Sequence, residues 1–207
     1  MKRAIGAIIV AVALLAACAS GPEPVPAPDE AYETAKTLRA QIQEFDLAQY
    51  AQSEFDSGES QFASAELAYN TEDYATAEEG FNLAIDSYTR VIRAGFRAIA
   101  GARQEEAEAQ RALADEVKAS VALADDYAAA LDIYNEAVAE TEAGNDQEAA
   151  TLFENAAALF AQVFEDASDK RRQAIEAMDR VDERIEDLDV QRESLEQSAR
   201  EDEEEDQ

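Results

Sequence analysis

The sequence predicts an all-α protein made of long antiparallel helical hairpins. Beyond Pro28 the chain contains no proline, and no long stretch alternates polar and apolar residues as a half-buried strand would. Apolar residues instead recur at intervals of three and four, which is the periodicity of a helix; the clearest series is Phe81, Ile85, Tyr88, Ile92, Phe96 and Ile99. We expect helices near residues 30–70, 73–116, 120–143 and 146–199.

Residues 1–17 have the features of a secretory signal peptide. Lys2 and Arg3 supply its positive start, and an apolar stretch covers residues 5–15. At eleven residues this stretch is too short to span a bilayer comfortably as a permanent helix. The segment is therefore predicted to direct export and then to be removed.

The end of this segment carries a lipidation signal. Leu15, Ala16, Ala17 and Cys18 resemble the bacterial lipobox, in which a bulky apolar residue and two small ones precede a cysteine. The resemblance implies a membrane-anchored lipoprotein, with lipid on the cysteine sulfur and cleavage just before it. An ordinary signal peptide with an accidental cysteine is the alternative. Ala19, where aspartate favours retention in the inner membrane of enteric bacteria, favours the outer membrane, with the body in the periplasm.

Residues 18–29 are predicted to form a lipidated, proline-rich stalk. Proline alternates with other residues at Pro22, Pro24, Pro26 and Pro28. Each proline fixes its own φ and disfavours helix in the residue before it. A polyproline II stalk rises about 3.1 Å per residue and would hold the body on the order of 30 Å from the lipid.

Internal similarity runs through the predicted helical domain, residues 30–199, at an offset of 72 positions. Alanine falls on alanine and aromatic on aromatic; the pairs are Phe62 and Tyr134, Ala65 and Ala137, Ala77 and Ala149, Phe81 and Phe153, Ala84 and Ala156, and Tyr88 and Phe160. Small residues let two helices approach closely, and large rings fill the gaps between them. Each copy is therefore predicted to be a helix, a tight turn and a second helix.

The turn of the second copy has recognisable stop and start signals. Gly144 is predicted to end a helix, and Asn145 to cap the next one with Glu148 completing an approximate capping box. Asp73 occupies the capping position in the first copy. A weaker break is expected around 116–120, where neither glycine nor proline marks it.

Two segments, Ala65 to Ala84 and Ala137 to Ala156, resemble tetratricopeptide repeats. Both contain the pattern Ala-x3-Phe-x2-Ala after an acidic or amide turn residue. The chain is also similar to small helical lipoproteins of bacterial envelopes. The repeat resemblance implies a helical scaffold that binds peptides or partner proteins.

Composition argues against catalysis. The chain contains no histidine, and its one cysteine, Cys18, is assigned to lipid, so nucleophile–base pairs built on either residue are excluded. No glycine-rich phosphate loop and no zinc-type or EF-hand-type ligand spacing is present. We therefore predict no enzymatic activity, no metal and no cofactor.

The net charge is strongly negative. Without residues 1–17 the chain has 15 basic and 47 acidic residues, a formal charge of −32. Such a surface repels nucleic acid and favours basic protein partners. Arg90, Arg93 and Arg97 form a local exception on one helix stripe. We consider this stripe a candidate site for an anionic group; pairing with acids of a neighbouring helix is the alternative.

The last helix carries a coiled-coil seam. Its members follow alternating steps of three and four: Met178, Val181, Ile185, Leu188, Arg192, Leu195 and Ala199. Because acidic residues flank this seam, we predict that residues 178–199 dock a different, more basic protein. A frayed, solvated helix is the alternative. Residues 200–207 are predicted to be an acidic, disordered tail.

Two functions follow from these features. The first is a membrane-anchored scaffold for envelope proteins, with partner contacts at Arg90, Arg93, Arg97, Ile185, Leu188 and Leu195. The second is a small-ligand receptor associated with a solute transporter. A receptor needs a pocket, which could be lined by Phe62, Tyr69, Tyr74, Phe81, Tyr88, Tyr134, Phe153 and Phe160. Core packing is the competing use of these rings, so the scaffold is the preferred prediction.

Overall fold

The computed structural model describes residues 25–205 and contains only helices within that range. The prediction of an all-α protein is therefore confirmed for these residues. The helices are α1 (Asp29–Glu44), a short 3₁₀ helix (Leu47–Tyr50), α2 (Gln52–Asn70), α3 (Tyr74–Glu116), α4 (Ala119–Ala122), α5 (Ala124–Ala143) and α6 (Asp146–Glu205).

The described residues divide into two compact units. The first unit consists of residues 25–42 and 53–89, and the second consists of residues 43–52 and 90–205. Helix α3 contributes its first part to one unit and its remainder to the other.

Aromatic rings packed among alanines form the core of the first unit. The ring of Phe81 has its centroid 5.2 Å from that of Tyr32 and 5.6 Å from that of Phe62. Alanines are buried beside these rings on all three helices of the unit: Ala35, Ala65, Ala77 and Ala84. The small side chains allow the helices to approach, and each buried large ring contributes on the order of 2 kcal/mol.

The core of the second unit uses the same combination of residues. Tyr127 and Tyr134 on α5 contact Phe160 and Phe153 on α6, with centroid distances of 5.5 and 5.4 Å. Buried alanines again line the helix contacts: Ala107, Ala114, Ala130, Ala137, Ala149, Ala156 and Ala167. Helices α5 and α6 therefore pack along each other through small residues and interlocking rings.

The prediction of one helix over residues 30–70 is wrong. The chain leaves α1 at Glu44 and enters α2 only at Gln52. Asp46 adopts the left-handed conformation, with φ 52° and ψ 40°, and so ends the helical path. The turn places Leu47 in the core, fully buried against Gly95 of α3. Burial of this leucine is the physical reason for the break.

The turn between α5 and α6 matches the predicted stop signal. Gly144 has φ 82°, a conformation that glycine adopts without steric cost. The N–H groups of Gly144 and Asn145 donate to the carbonyls of Thr141 and Glu140, at 3.1 and 2.9 Å. The side-chain amide of Asn145 donates to the Glu140 carboxylate at 2.6 Å. At the start of α3, the N–H of Thr76 donates to the Asp73 carboxylate at 3.4 Å, as a capping residue should.

Two other helix ends differ from the sequence-based expectation. The weak break expected around 116–120 is present at Lys118, whose φ is 58°. The short helix α4 follows it, so α5 begins at Ala124 instead of at residue 120. Helix α6 continues to Glu205, into the segment for which the sequence predicts a disordered tail.

Candidate interaction surfaces

The predicted arginine stripe lies on α3 within the second unit. The Arg97 guanidinium forms an ion pair with Asp146 at the start of α6, with 3.6 Å between Nε and Oδ2. Arg90 also takes part in an interaction, and Arg93 is exposed. This arrangement resembles the alternative in which the stripe pairs with acids of a neighbouring helix.

Asp146 is an unusual carboxylate because it is 95% buried while Arg97 is mostly exposed. Its Oδ1 atom is buried and has no hydrogen-bond partner among residues 25–205. As the first residue of α6, the side chain lies near the positive end of the helix dipole, which favours a negative charge. Arg97 supplies the remaining compensation, so the pair has a structural role.

The part of α6 beyond the body is uncovered. From residue 171 to residue 197, which we call the α6 extension, every side chain is exposed. Its predicted contact residues Ile185, Leu188 and Leu195 are 52%, 51% and 71% exposed. Met178 and Val181 continue the same stripe. Large apolar side chains in such a row are the typical contact surface of a partner helix.

One member of the predicted seam is charged and is paired within its own helix. The Arg192 guanidinium lies 3.5 Å from the Asp189 carboxylate and 3.7 Å from the Glu196 carboxylate. Both partners are exposed and lie on the same flank of the seam. Arg192 therefore leans toward this flank.

Charge is distributed unevenly along the chain. Residues 30–169 contain 30 acidic and 8 basic residues, whereas residues 170–200 contain 9 acidic and 7 basic residues. The body is strongly acidic, the segment that includes the α6 extension is nearly balanced, and six further acidic residues follow it at 201–206. The sequence pattern predicts acidic flanks beside the seam, but seven basic residues over 170–200 nearly balance the nine acidic ones.

The predicted aromatic set divides between the two units: five of its rings are core residues, whereas Tyr69, Tyr74 and Tyr134 are half-buried. In the first unit Phe62, Phe81 and Tyr88 are almost fully buried, as are Phe153 and Phe160 in the second. These rings contact one another or other rings of the same unit. Their surface is thus used for packing.

A hydrogen-bonded network in the first unit was not anticipated from the sequence. Arg39 donates two bonds to the Glu59 carboxylate, at 2.7 and 2.5 Å, and the Tyr88 hydroxyl donates to the same carboxylate at 2.6 Å. Burial, and then the bond to Glu59, raise the pKa of Tyr88 well above its ordinary value. The network holds α1, α2 and α3 together.

The lipidation residues Leu15, Ala16, Ala17 and Cys18 lie outside the described residues. Among the helices of residues 25–205, none is both long enough and apolar enough to cross a bilayer. The same range contains no cluster of three or more potential metal ligands. Comparison with known protein families, curated proteins and solved structures finds no match to this chain.

Proposed function

We propose that this chain is a lipid-anchored helical scaffold of the bacterial envelope that binds other proteins. The observation that carries the proposal is the α6 extension, in which 27 consecutive residues are exposed and include Ile185, Leu188 and Leu195. A water-exposed helix gains no stability from such side chains, whereas a contact surface for another helix requires them.

The acidic body favours a second class of partner, namely basic proteins. With 30 acidic and 8 basic residues over 30–169, its surface attracts basic proteins and repels nucleic acid. Arg90, Arg93 and Arg97 are the local exception, and Arg97 is already paired with Asp146. The buried state of the aromatic rings favours the scaffold over the small-ligand receptor.

We also infer that the body is a duplication with a period of 72 residues. Backbone conformation supports this proposal. Asp46 and Lys118 are 72 positions apart and have φ values of 52° and 58°. Glu72 and Gly144 are separated by the same interval and have φ values of 63° and 82°. Positive φ is rare outside glycine, so two such coincidences are informative.

Ring contacts support the same duplication. The contact between Phe62 and Phe81, at 5.6 Å, has its counterpart at the same offset in Tyr134 and Phe153, at 5.4 Å. A second matching contact joins Phe55 to Tyr88 and Tyr127 to Phe160, at 6.2 and 5.5 Å. Each copy thus resembles a tetratricopeptide-repeat hairpin preceded by one further helix.

The anchor can be tested directly at Cys18. We expect the wild-type protein to fractionate with outer membranes and to incorporate labelled palmitate, because two or three acyl chains make release very slow. Cys18→Ser should do neither. Identical fractionation of the two proteins without any label would contradict the anchor.

Partner binding can be tested by recovery from envelope extracts with the full chain as bait. A helical protein of the same net charge serves as the control for non-specific attraction. We expect basic envelope proteins that the control does not retain, with recovery falling as salt screens the charges. If the control recovers the same proteins, the acidic body does not act as a specific scaffold.

A further inference from the structure

We propose that the α6 extension pairs with the same segment of a second copy of this chain, as a parallel two-stranded coiled coil. The inference rests on the proposed scaffold function and names the occupant of its apolar seam. It requires neither the lipid anchor nor a basic partner, so it can be tested separately.

The seam has the composition of a two-stranded coiled coil. Written as heptads, Met178 and Ile185 occupy position a, and Val181, Leu188 and Leu195 occupy position d. A β-branched residue at a with leucine at d, as at Ile185 and Leu188, favours two strands. All five side chains are at least half exposed, so pairing would cover them.

The charges beside the seam complement those of an identical, parallel helix. In that arrangement a g residue of one helix faces the e residue five positions later on its partner. Arg184 occupies g and Asp189 occupies the facing e position, which gives two attractive pairs by symmetry. The neighbouring combinations, Ala177 with Asp182 and Gln191 with Glu196, contain no like charges.

An antiparallel pair is disfavoured by the same residues. In an antiparallel coiled coil e positions face e positions. With Ile185 opposite Leu188 of the second copy, Asp182 would face Asp189, and two such acidic pairs would form. Like charges at these positions are destabilising. At the e positions within the seam, the charges therefore favour the parallel orientation.

Arg192 is compatible with pairing although it occupies an a position. Its guanidinium is already held by Asp189 and Glu196 of its own helix, both at e positions. The charge therefore leans out of the seam, and the methylene groups remain to fill it. A single polar residue at a lowers stability but fixes register and strand number.

Charge balance distinguishes a second copy from a strongly basic partner. Residues 170–200 carry 9 acidic and 7 basic residues, so two copies repel each other only weakly along this segment. A strongly basic protein would instead be attracted to the body, which carries 30 acidic and 8 basic residues over 30–169.

Cysteine cross-linking tests both pairing and orientation. The full chain carries Cys18→Ser, so that an introduced cysteine is its sole thiol. Leu188→Cys and Leu195→Cys should each form a disulfide-linked dimer, because d faces d in a parallel pair. Glu186→Cys, on the outer face, should not. If a mixture of Met178→Cys and Leu195→Cys chains forms only the mixed dimer, the helices are antiparallel and the proposed orientation is wrong.

Charge substitution tests the role of Arg184. Sedimentation equilibrium should give twice the mass of a single chain. Arg184→Glu should raise the dissociation constant about tenfold, because two attractive pairs become repulsive. Arg180→Glu makes the same change of charge at an outward position and should have little effect. Adding Asp189→Lys to Arg184→Glu should recover part of the lost affinity, and the recovery is incomplete because Asp189 also holds the Arg192 guanidinium.

A monomeric mass at all concentrations, or equal effects of Arg184→Glu and Arg180→Glu, would overturn the proposal. So would a monomer that recovers a different helical protein and loses it with Leu188→Asp, because the seam would then belong to that protein. A dimer that recovers no basic protein would support the pairing and contradict the proposed basic partner, so failure of one proposal is distinguishable from failure of the other.

Discussion

Leu47 lies so close to Gly95 that a Cβ atom on the glycine would be 2.8 Å from the leucine Cδ2 and 2.9 Å from its Cβ. The contact fixes the turn after α1 onto the second part of α3. Replacing a helical glycine by alanine normally stabilises a protein, but at Gly95 the contact with Leu47 should make the same change destabilising.

Gly95→Ala should destabilise the protein by about 1–3 kcal/mol, because the added methyl group overpacks a filled core. In an uncrowded helix the same substitution stabilises by about 1 kcal/mol. Gly101→Ala is the matched control, since a Cβ at Gly101 would meet nothing within 4 Å. Urea unfolding measures both, and the two substitutions should have opposite signs.

Leu47→Ala should rescue part of the Gly95→Ala defect. Alone it removes a fully buried leucine and should cost about 2–5 kcal/mol. Together the two alanines reproduce the residues found 72 positions later, Ala119 and Ala167, which are both buried. We expect the double variant to be more stable than the sum of the single changes. Strict additivity would contradict the coupling.

Ala77→Leu tests the close approach of helices in the first unit. Ala77 is fully buried, so the larger side chain should cost about 1–3 kcal/mol. Ala75→Leu is made two positions earlier on the exposed face of the same helix and should change stability very little. Thermal unfolding followed by circular dichroism measures both variants. Equal melting temperatures would contradict close packing at this alanine.

The Arg97–Asp146 pair can be examined by a double-mutant cycle. Arg97→Gln should destabilise by about 1–2 kcal/mol, because it leaves a buried carboxylate without its neighbouring cation. With Asp146→Asn in place, the same substitution should be nearly neutral. Arg93→Gln removes an exposed arginine from the same stripe and serves as the control. A full loss in the Asp146→Asn background would mean that Arg97 acts through other contacts.

Tyr88 should make stability sensitive to alkaline pH. Its pKa is raised in the folded state, chiefly by burial and next by the bond to Glu59, relative to about 10 in the unfolded chain. The contribution of the Tyr88 hydroxyl to the free energy of unfolding is fully present below about pH 10, where the tyrosine is protonated in both states. It falls as the pH rises above this value, because the tyrosine of the unfolded chain ionises first.

Tyr88→Phe removes this titration together with the hydrogen bond to Glu59. It should cost about 1–2 kcal/mol near neutral pH, because a bond to a charged acceptor is lost. The difference from wild type should then shrink above about pH 10. Urea unfolding at about pH 8 and about pH 11 measures the change. A constant difference across this range would show that Tyr88 ionises equally in both states.

Local signals explain which helix ends could be predicted from the sequence. Gly144 marks its turn because only a residue that tolerates positive φ fits there without strain, and the turn was found as expected. The turn at Asp46 has no glycine or proline, and it depends on burying Leu47 against Gly95 far along the chain. Such a tertiary cause leaves no local mark.

The candidate surfaces also differ in how far the sequence predicts them, because some lie within one helix and others join separate helices. The seam of α6 follows from a periodicity within one helix, and its exposed apolar stripe is present. The network joining Arg39, Glu59 and Tyr88 depends on residues 20 and 29 positions apart, whose meeting is decided by helix packing. Polar residues on separate helices carry no spacing rule that identifies them as partners.

The unbroken course of α3 has a consequence for how the chain folds. Helix nucleation is costly and elongation is not, so one nucleus within residues 74–89 allows residues 90–116 to become helical by growth alone. The unit that folds later therefore receives its part of α3 already initiated. Because both units contain part of this one helix, unfolding of either unit leaves a fraying helix end in the other, which couples their unfolding. A proline at residue 90 would remove this coupling, and the two units would then melt in separate transitions.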